Sequence, residues 1–127
     1  MLDTTFLVDA ERSEIDLDAL IADDDDVAMA AVTVAELLVG VPLADGKRHR
    51  RRQVFVDSVL EAVPVLPYDV RVAHAHAQLL TAVLRYGRPR GAHDLIIAAT
   101  AVSSHRAVLT ADATGFHDLP GVQVTQH

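Results

Sequence analysis

Short, continuously apolar segments alternate along the chain with longer segments whose apolar residues recur at helical spacing. The apolar segments are typical of buried strands, and we predict them at Met1–Thr4, Val27–Ala30, Val65–Leu66, Ala107–Thr110 and Val122–Val124. Strands that are buried on both faces and separated by helices indicate a parallel sheet. We therefore predict an α/β fold with a short parallel sheet of about four to five strands, flanked by helices on both faces.

The segments between the strands predict the helices. These are Thr5–Glu11, Ile15–Ile21, Val34–Leu43, Lys47–Ala62, Val70–Tyr86 and Asp94–Ser104, with a helical turn over Thr114–Asp118. Pro42 and Pro64 mark the ends of two of these helices. The acidic run Asp23–Asp26 and the basic segment Gly87–Gly91 are predicted loops. Because no repeat or linker interrupts the pattern, we predict a single domain over residues 1–127.

Four acidic residues lie within or beside these apolar segments. Asp3 is in the first strand, Glu36 is the only charge in a long apolar run, Asp94 opens an apolar helix, and Asp112 follows the fourth strand. A buried carboxylate is costly unless it is paired, protonated or bound to a metal. The cationic residues cluster elsewhere, and sites in parallel sheets form beyond the carboxyl ends of the strands. We therefore predict that the four carboxylates converge on hard divalent cations.

The composition excludes several classes of protein. Half of the 127 residues are apolar, which allows a real core and argues against disorder. The chain has no Cys, which excludes disulfides and thiolate metal sites and is compatible with the cytoplasm. We expect no signal peptide and no membrane span. The long apolar run from Val27 to Ala44 contains Glu36, whose insertion into a bilayer would cost about 2.5–3.5 kcal/mol.

The distribution of positive charge matters because the formal net charge is −7, which is unusual for a protein that binds nucleic acid. One basic block contains the candidate phosphate-binding residues Lys47, Arg48, Arg50, Arg51 and Arg52. Arg85, Arg88 and Arg90 form a second, looser group. A solvated helix face is the alternative interpretation of either group, and a bound metal would neutralise part of the acidic excess.

The acidic positions stand in motifs that resemble those of the PIN-domain ribonucleases, most closely the VapC-type toxins of bacterial toxin–antitoxin pairs. In chain order these motifs are Asp3-Thr4-Thr5, Thr33-Val34-Ala35-Glu36-Leu37, Asp94-Leu95-Ile96-Ile97-Ala98-Ala99, and Thr110-Ala111-Asp112 followed by Phe116 and Pro120-Gly121. Each motif alone is weak, but all of them in this order over nearly the whole chain are specific. Family members often carry another acidic residue just before the Phe, where this chain has Gly115.

The resemblance implies a PIN-like fold and Mg²⁺- or Mn²⁺-dependent hydrolysis of RNA phosphodiester bonds. It implies that Asp3 and Asp94 are direct metal ligands and that Asp112 is a further one. Glu36 would bind the metal through water or position the attacking water, and Thr5 would steady a neighbouring carboxylate or metal-bound water. Similar proteins are growth-inhibiting toxins that work as homodimers and are neutralised by a small VapB-type antitoxin. Transfer RNA is the commonest target among them.

Three alternative functions fit parts of the pattern. A phosphoacceptor receiver domain also gathers acids at strand ends, but it needs a Lys beyond a late strand, and the only Lys here is Lys47 in a basic helix. A catalytically weak PIN-like RNA-binding or interaction module would need no competent metal site, so Mn²⁺ binding distinguishes it. A DNA nuclease of related fold would carry long insertions, which this chain lacks.

Overall fold

Four short parallel strands lie at the centre of the fold. The computed structural model describes residues 1–14 and 26–127. Its strands are β1 (Met29–Ala30), β2 (Val65–Leu66), β3 (Val108–Thr110) and β4 (Val124–Gln126). The predicted helix Ile15–Ile21 and most of the predicted loop Asp23–Asp26 lie outside the described residues.

The first residues of the chain join the strands into one parallel arrangement. β1 pairs with β2, β3 pairs with β4, and Leu2 forms a parallel bridge with Leu109. On its other side, the amide of Leu2 donates to the carbonyl of Ala28 at 2.9 Å. The order across the sheet is therefore β2, β1, Leu2, β3, β4, and the residue that follows Leu2 lies at the carboxyl edge in the middle of the sheet.

Helices surround the sheet, as the alternating pattern predicts. The described residues contain α1 (Thr4–Arg12), α2 (Ala31–Leu43), α3 (Gly46–Ala62), α4 (Val70–Tyr86), α5 (Ala92–Ser103) and a 3₁₀ turn (Ala113–Gly115). One group of buried residues packs against α4 and α5, including Leu79, Ile97 and Val108. A second group packs against α1, α2 and α3, including Leu7, Met29 and Val59. The prediction of an α/β fold with parallel strands is confirmed.

Several predicted strands and helices have wrong end residues. The predicted strand Met1–Thr4 contributes only the bridge at Leu2, because α1 already begins at Thr4. The last strand is Val124–Gln126 instead of Val122–Val124. Before it, the chain makes a turn in which the amide of Val122 donates to the carbonyl of Leu119, and Gly121 adopts φ 74°. This turn delays the pairing with β3.

The other helix ends differ by a few residues. α2 begins at Ala31 instead of Val34, and it includes Pro42 in its last turn. α5 begins at Ala92 instead of Asp94, so Asp94 lies within its first turn. The predicted turn Thr114–Asp118 is replaced by Ala113–Gly115, since the side chain of Asp112 accepts from the amide of Thr114 and starts the turn earlier.

A largely buried ion pair connects α1 with α3. Nε of Arg52 lies 2.6 Å from Oε2 of Glu11, and the two side chains are 21% and 7% exposed. The contact is an ion pair and not an aligned hydrogen bond. The guanidinium of Arg52 also lies against Gly40 of α2, where any larger side chain would meet it. Because a buried carboxylate that loses its partner is strongly destabilising, Arg52 is needed within the fold.

A helix that crosses a bilayer must be both long and predominantly apolar. None of the helices in residues 1–14 and 26–127 meets both requirements.

Candidate active site at the carboxyl edge of the sheet

Asp3 is the most deeply buried of the four acidic residues, with 2% of its surface exposed. Its amide donates to the carbonyl of Leu109 at 2.9 Å, which fixes it to the end of the sheet. It precedes α1, but its side chain does not cap the helix. Instead, Oδ2 accepts hydrogen bonds from Thr5 Oγ1 at 2.7 Å and from Thr110 Oγ1 at 2.8 Å. Among the described residues nothing donates to Oδ1, which leaves this oxygen available to a ligand.

Thr110 is a site residue that the sequence reasoning missed. It is completely buried at the end of β3. Besides its bond to Asp3, its hydroxyl lies 2.9 Å from Thr5 Oγ1 and accepts from the amide of Asp112 at 3.0 Å. The available signal in the sequence was a polar Thr at the end of an otherwise apolar strand, which indicates a side chain that needs a hydrogen-bond partner. Its partner is 107 positions away, so only the parallel pairing of the strands reveals the contact.

Glu36 is held between two other helices. It lies on α2, and its side chain is 31% exposed. Thr4, the first residue of α1, donates from Oγ1 to Oε1 of Glu36 at 2.8 Å. His93 of α5 places Nδ1 3.6 Å from Oε2. The carboxylate therefore sits where α1, α2 and α5 meet.

The negative charges of the other three acids all affect the pKa of Asp94. It lies in the first turn of α5 and is half-buried. Burial raises the pKa of the Asp94 carboxyl, and the negative charges of Asp3, Glu36 and Asp112 raise it further. The four residues therefore share one electrostatic environment with an excess of negative charge. A divalent cation would relieve this excess.

Asp112 differs from the expectation of a buried carboxylate. It is exposed, and its Oδ1 accepts from Thr114 Oγ1 at 2.7 Å and from the Thr114 amide at 3.0 Å. These hydrogen bonds lower the pKa of its carboxyl. Because the chain leaves the sheet immediately after β3, Asp112 reaches the surface and starts the 3₁₀ turn. The expectation that all four acids are buried is correct only for Asp3.

Three of the four acids line one cleft. Asp3, Asp94 and Asp112 border a space of about 240 Å³, together with Arg88 and Arg90 from the loop before α5. Glu36 lies beside this cleft and not in its wall. Within the described parts of the chain, no three acidic or His side chains are close enough, as placed, to hold one ion together. The donor set still suits a hard cation, because Mg²⁺ is usually bound by one or two carboxylates and keeps several waters.

Comparison with known proteins assigns the family. The family model described as "PIN domain" matches residues 1–122. This chain belongs to the PIN-domain family.

Named relatives agree with this assignment and with the resemblance to VapC-type proteins. "Toxin FitB" from Neisseria gonorrhoeae is 38% identical over 111 residues, covering 84% of this chain and 78% of the relative. "Ribonuclease VapC" from Rickettsia bellii is 26% identical over 125 residues, covering 98% of this chain and 92% of the relative. A solved structure of VapBC-5 from Mycobacterium tuberculosis, "a member of the VapBC family of toxin-antitoxin systems", superposes with a TM-score of 0.80. Its sequence is 30% identical, and the match covers 99% of this chain and 96% of that one.

The PIN domain described here departs from the family pattern at Gly115, and the structure gives a physical reason. The carboxylate of Asp94 occupies the position that a Cβ at residue 115 would need. An acidic side chain at this position would require Asp94 to move. The glycine therefore gives room to the Asp94 carboxylate.

The residues of the basic block, Lys47 to Arg52, differ in their contacts: most face the solvent and one faces the fold. Lys47, Arg48 and Arg50 are exposed near the start of α3, and Arg51 forms an exposed ion pair with Glu14 at 3.3 Å. Lys47, Arg50 and Arg51 also border a shallow depression of about 430 Å³. Arg52 points inward to Glu11 instead, so it is less available to a phosphate than the other four.

Proposed function

We propose that this PIN domain is a divalent-metal-dependent endoribonuclease of the cytoplasm, which acts as a growth-inhibiting toxin and is neutralised by a cognate VapB-type antitoxin. The names of the relatives, "Ribonuclease VapC" and "Toxin FitB", support this proposal. The observation that carries it is the cleft at the carboxyl edge of the sheet, which Asp3, Asp94 and Asp112 line together. Such a group of acids beside a cleft is a typical functional site.

The proposed metal is Mg²⁺ or Mn²⁺. Asp3, through its free Oδ1, and Asp94 are the proposed direct ligands, and Asp112 is a further ligand. When bound, such an ion activates water and stabilises the negative charge that develops on the phosphate. Thr5 and Thr110 keep the Asp3 carboxylate in one orientation by holding Oδ2.

Glu36 has a separate proposed role. Thr4 and His93 hold its carboxylate at the side of the cleft. From this position Glu36 would accept a hydrogen bond from a water molecule and orient it toward the scissile phosphate, either directly or as a ligand through water. The Thr4 hydroxyl fixes the orientation of the carboxylate by donating to Oε1 at 2.8 Å.

The decisive experiment sequences RNA ends in cells after induction of the wild-type protein and of the Asp94→Asn variant. We expect growth arrest and new RNA ends at defined sites with the wild type only, and loss of arrest in the Asp3→Ala variant as well. The new ends would also identify the RNA, for which we propose transfer RNA. The same set of ends with both proteins, or an Asp3→Ala variant that still arrests growth, would refute the enzyme.

A non-catalytic PIN-like binding module is the second candidate. It is favoured by the finding that, within residues 1–14 and 26–127, no three potential ligands are arranged around one point. Titration with Mn²⁺ separates the two functions. The wild-type enzyme should bind Mn²⁺ and the Asp94→Asn variant should not, whereas a module would show equally weak binding in both.

The four outward-facing basic residues are expected to bind RNA phosphates. Replacing Lys47, Arg48, Arg50 and Arg51 by Gln should weaken RNA binding and reduce the slope of log K against log salt by about 0.7 for each lost phosphate contact. Fluorescence anisotropy at several salt concentrations measures this slope. Arg71→Gln removes an exposed charge at the start of α4, outside both basic groups, and serves as the control. An unchanged slope in the fourfold variant would identify these residues as a solvated helix face.

We also propose a homodimer. α4 exposes Leu80 and Leu84, one turn apart, with Leu84 77% exposed. A contiguous exposed apolar patch marks an interaction site, and we propose that a second copy of the chain covers this one. Leu84→Glu should convert the dimer to a monomer in light scattering at high concentration, whereas Leu43→Glu, equally exposed but on α2, should not. A monomeric wild type would refute the dimer, and dissociation by Leu43→Glu alone would place the interface elsewhere.

A further inference from the structure

A second cavity lies next to the acidic cleft and shares two arginines with it. This groove has a volume of about 360 Å³, within the usual range of ligand pockets. Its wall includes Tyr86, Val83, Leu119 and Pro120, and it shares Arg88 and Arg90 with the acidic cleft. The two cavities are therefore neighbours. The roles proposed above for the acidic residues do not use this groove.

Arg90 has donors that no described residue satisfies. Its Nε and Nη1 are buried, and neither makes a hydrogen bond within residues 1–14 and 26–127. Arg88, in contrast, donates from Nη2 to the carbonyl of Thr114 at 2.5 Å. Buried unpaired donors are unfavourable and call for a partner. A phosphate beside the guanidinium is a suitable partner, since the group is a permanent cation that binds phosphate oxygens.

Tyr86 adds an aromatic surface to the same groove. It is the last residue of α4, and 86% of its surface is exposed. It lies on the helix face of Val83, one turn earlier, whereas Leu80 and Leu84 of the proposed dimer surface lie on a different face. An exposed aromatic ring beside cationic side chains is the usual platform on which a protein stacks an unpaired base.

Asp118 restricts what the groove can bind. It lines the same wall and adopts the left-handed backbone conformation, with φ 64°. Its negative charge disfavours a phosphate beside it, while its oxygens can accept from an amino group on the edge of a base. Among the charged residues of this wall, Arg88 and Arg90 are therefore the ones that suit a phosphate.

We propose that this groove is a nucleotide subsite, in which Tyr86 stacks on one unpaired base of the RNA and Arg90 binds the adjoining phosphate. The inference rests on the proposed function, because the acidic cleft would then hold the next phosphodiester bond for hydrolysis. It selects single-stranded segments, since a base in a duplex cannot leave its stack without a cost.

Binding of a 5′-fluorescein-labelled single-stranded RNA dodecamer of random sequence tests the stacking. All proteins carry Asp94→Asn so that the probe is not cut, and anisotropy gives the dissociation constant. Tyr86→Ala should weaken binding about tenfold, whereas Tyr86→Phe should bind as the parent does. With an abasic backbone of equal length and charge, Tyr86→Ala and its parent should bind equally. Equal weakening on both probes would overturn the stacking role.

The phosphate contact is tested in the same assay. Arg90→Gln should lower the salt slope by about 0.7, and Arg90→Lys should restore most of it, while the matched control Arg71→Gln should change neither slope nor affinity. Thermal unfolding of the Arg90 variants confirms that they fold. If Arg90→Gln keeps the parental slope and affinity, the phosphate contact is overturned. If the substitution weakens binding to the antitoxin but not to RNA, the contact is also overturned, and Arg90 is assigned to a protein partner.

The outcomes separate this inference from the proposed function. If the wild-type protein cleaves RNA while Tyr86→Ala and Arg90→Gln bind the dodecamer normally, only the subsite is wrong. If the wild type cleaves no RNA but both substitutions weaken binding as expected, the subsite stands in a binding module. If the parent does not bind the dodecamer, the subsite is overturned, whatever the cleavage assay gives.

Discussion

Replacing Asp94 by Asn is expected to abolish RNA cleavage and, without divalent cations, to stabilise the fold. The substitution keeps the shape of the side chain but removes the charge that Asp3, Glu36 and Asp112 oppose. Loss of groups that merely support a metal ligand typically costs about 10–100-fold in affinity or activity, so loss of a direct ligand should cost at least about 100-fold. Initial rates of RNA cleavage and Mn²⁺ titration measure the two losses.

The gain in stability should depend on pH with a definite sign. Because the pKa of Asp94 is raised in the folded state, the folded chain binds more protons than the unfolded chain between pH 3.8 and that raised value. Acidification through this window therefore stabilises the wild type through this group, and the contribution is lost as the pH rises. Asp94→Asn should thus be more stable than the wild type at neutral pH, and the difference should shrink toward pH 3.8.

Screening by solvent limits the expected difference in the free energy of unfolding between Asp94→Asn and the wild type. Asp94 is only half-buried, so screening should reduce the gain to about 0.5–1 kcal/mol in chelator-treated protein. Urea unfolding at several pH values measures it. Saturating Mg²⁺ should reverse the order, since only the wild type gains binding energy in the folded state. Asp9→Asn, an exposed acid of α1, is the control and should change neither cleavage nor stability.

A different pattern would contradict the electrostatic argument. If Asp94→Asn is less stable than the wild type in chelator at neutral pH, the four acids do not repel one another as the structure indicates. If it is more stable but still binds Mn²⁺ and cleaves RNA, Asp94 belongs to the acidic group without being a ligand.

The sequence predicted the parallel sheet and the helices well, because buried strands and amphipathic helices have different periods. It also predicted that Asp3, Glu36, Asp94 and Asp112 converge at the carboxyl edge of the sheet, where three of them line one cleft and Glu36 lies beside it. The exposure of Asp112 was not predictable in the same way. A carboxylate one residue past a strand can turn inward or outward, and here the local bonds to Thr114 decide the direction.

Contacts between residues that are distant in the chain could also not be predicted from the sequence. Arg52 belongs to a basic run that favours a surface role, yet it pairs with Glu11 because α1 and α3 pack against each other. Thr4 stands at the start of α1, and its hydroxyl bonds Glu36 on the neighbouring helix. In each case the residue type was compatible with several partners, and only tertiary packing selects one.

Thr110→Val is expected to impair both the fold and the site. The substitution keeps the volume of the side chain and removes a buried hydroxyl that donates to Oδ2 of Asp3 and accepts from the amide of Asp112. Leaving buried polar groups without a partner costs about 1–3 kcal/mol. Asp3 would also be held by Thr5 alone, so RNA cleavage and Mn²⁺ affinity should fall about 10–100-fold, as is typical when a residue that orients a ligand is lost.

Two matched variants separate orientation of Asp3 from simple loss of stability. Thr33→Val removes another fully buried hydroxyl, but that hydroxyl has no hydrogen-bond partner within residues 1–14 and 26–127. It should leave cleavage unchanged and keep or raise the free energy of unfolding. Thr110→Ser retains the hydroxyl and should recover most of the Mn²⁺ affinity, even if the lost methyl group costs some stability. If Thr110→Val instead binds Mn²⁺ like the wild type, the backbone bond between Asp3 and Leu109 is sufficient to orient the carboxylate, and the Thr110 hydroxyl stabilises only the end of the sheet.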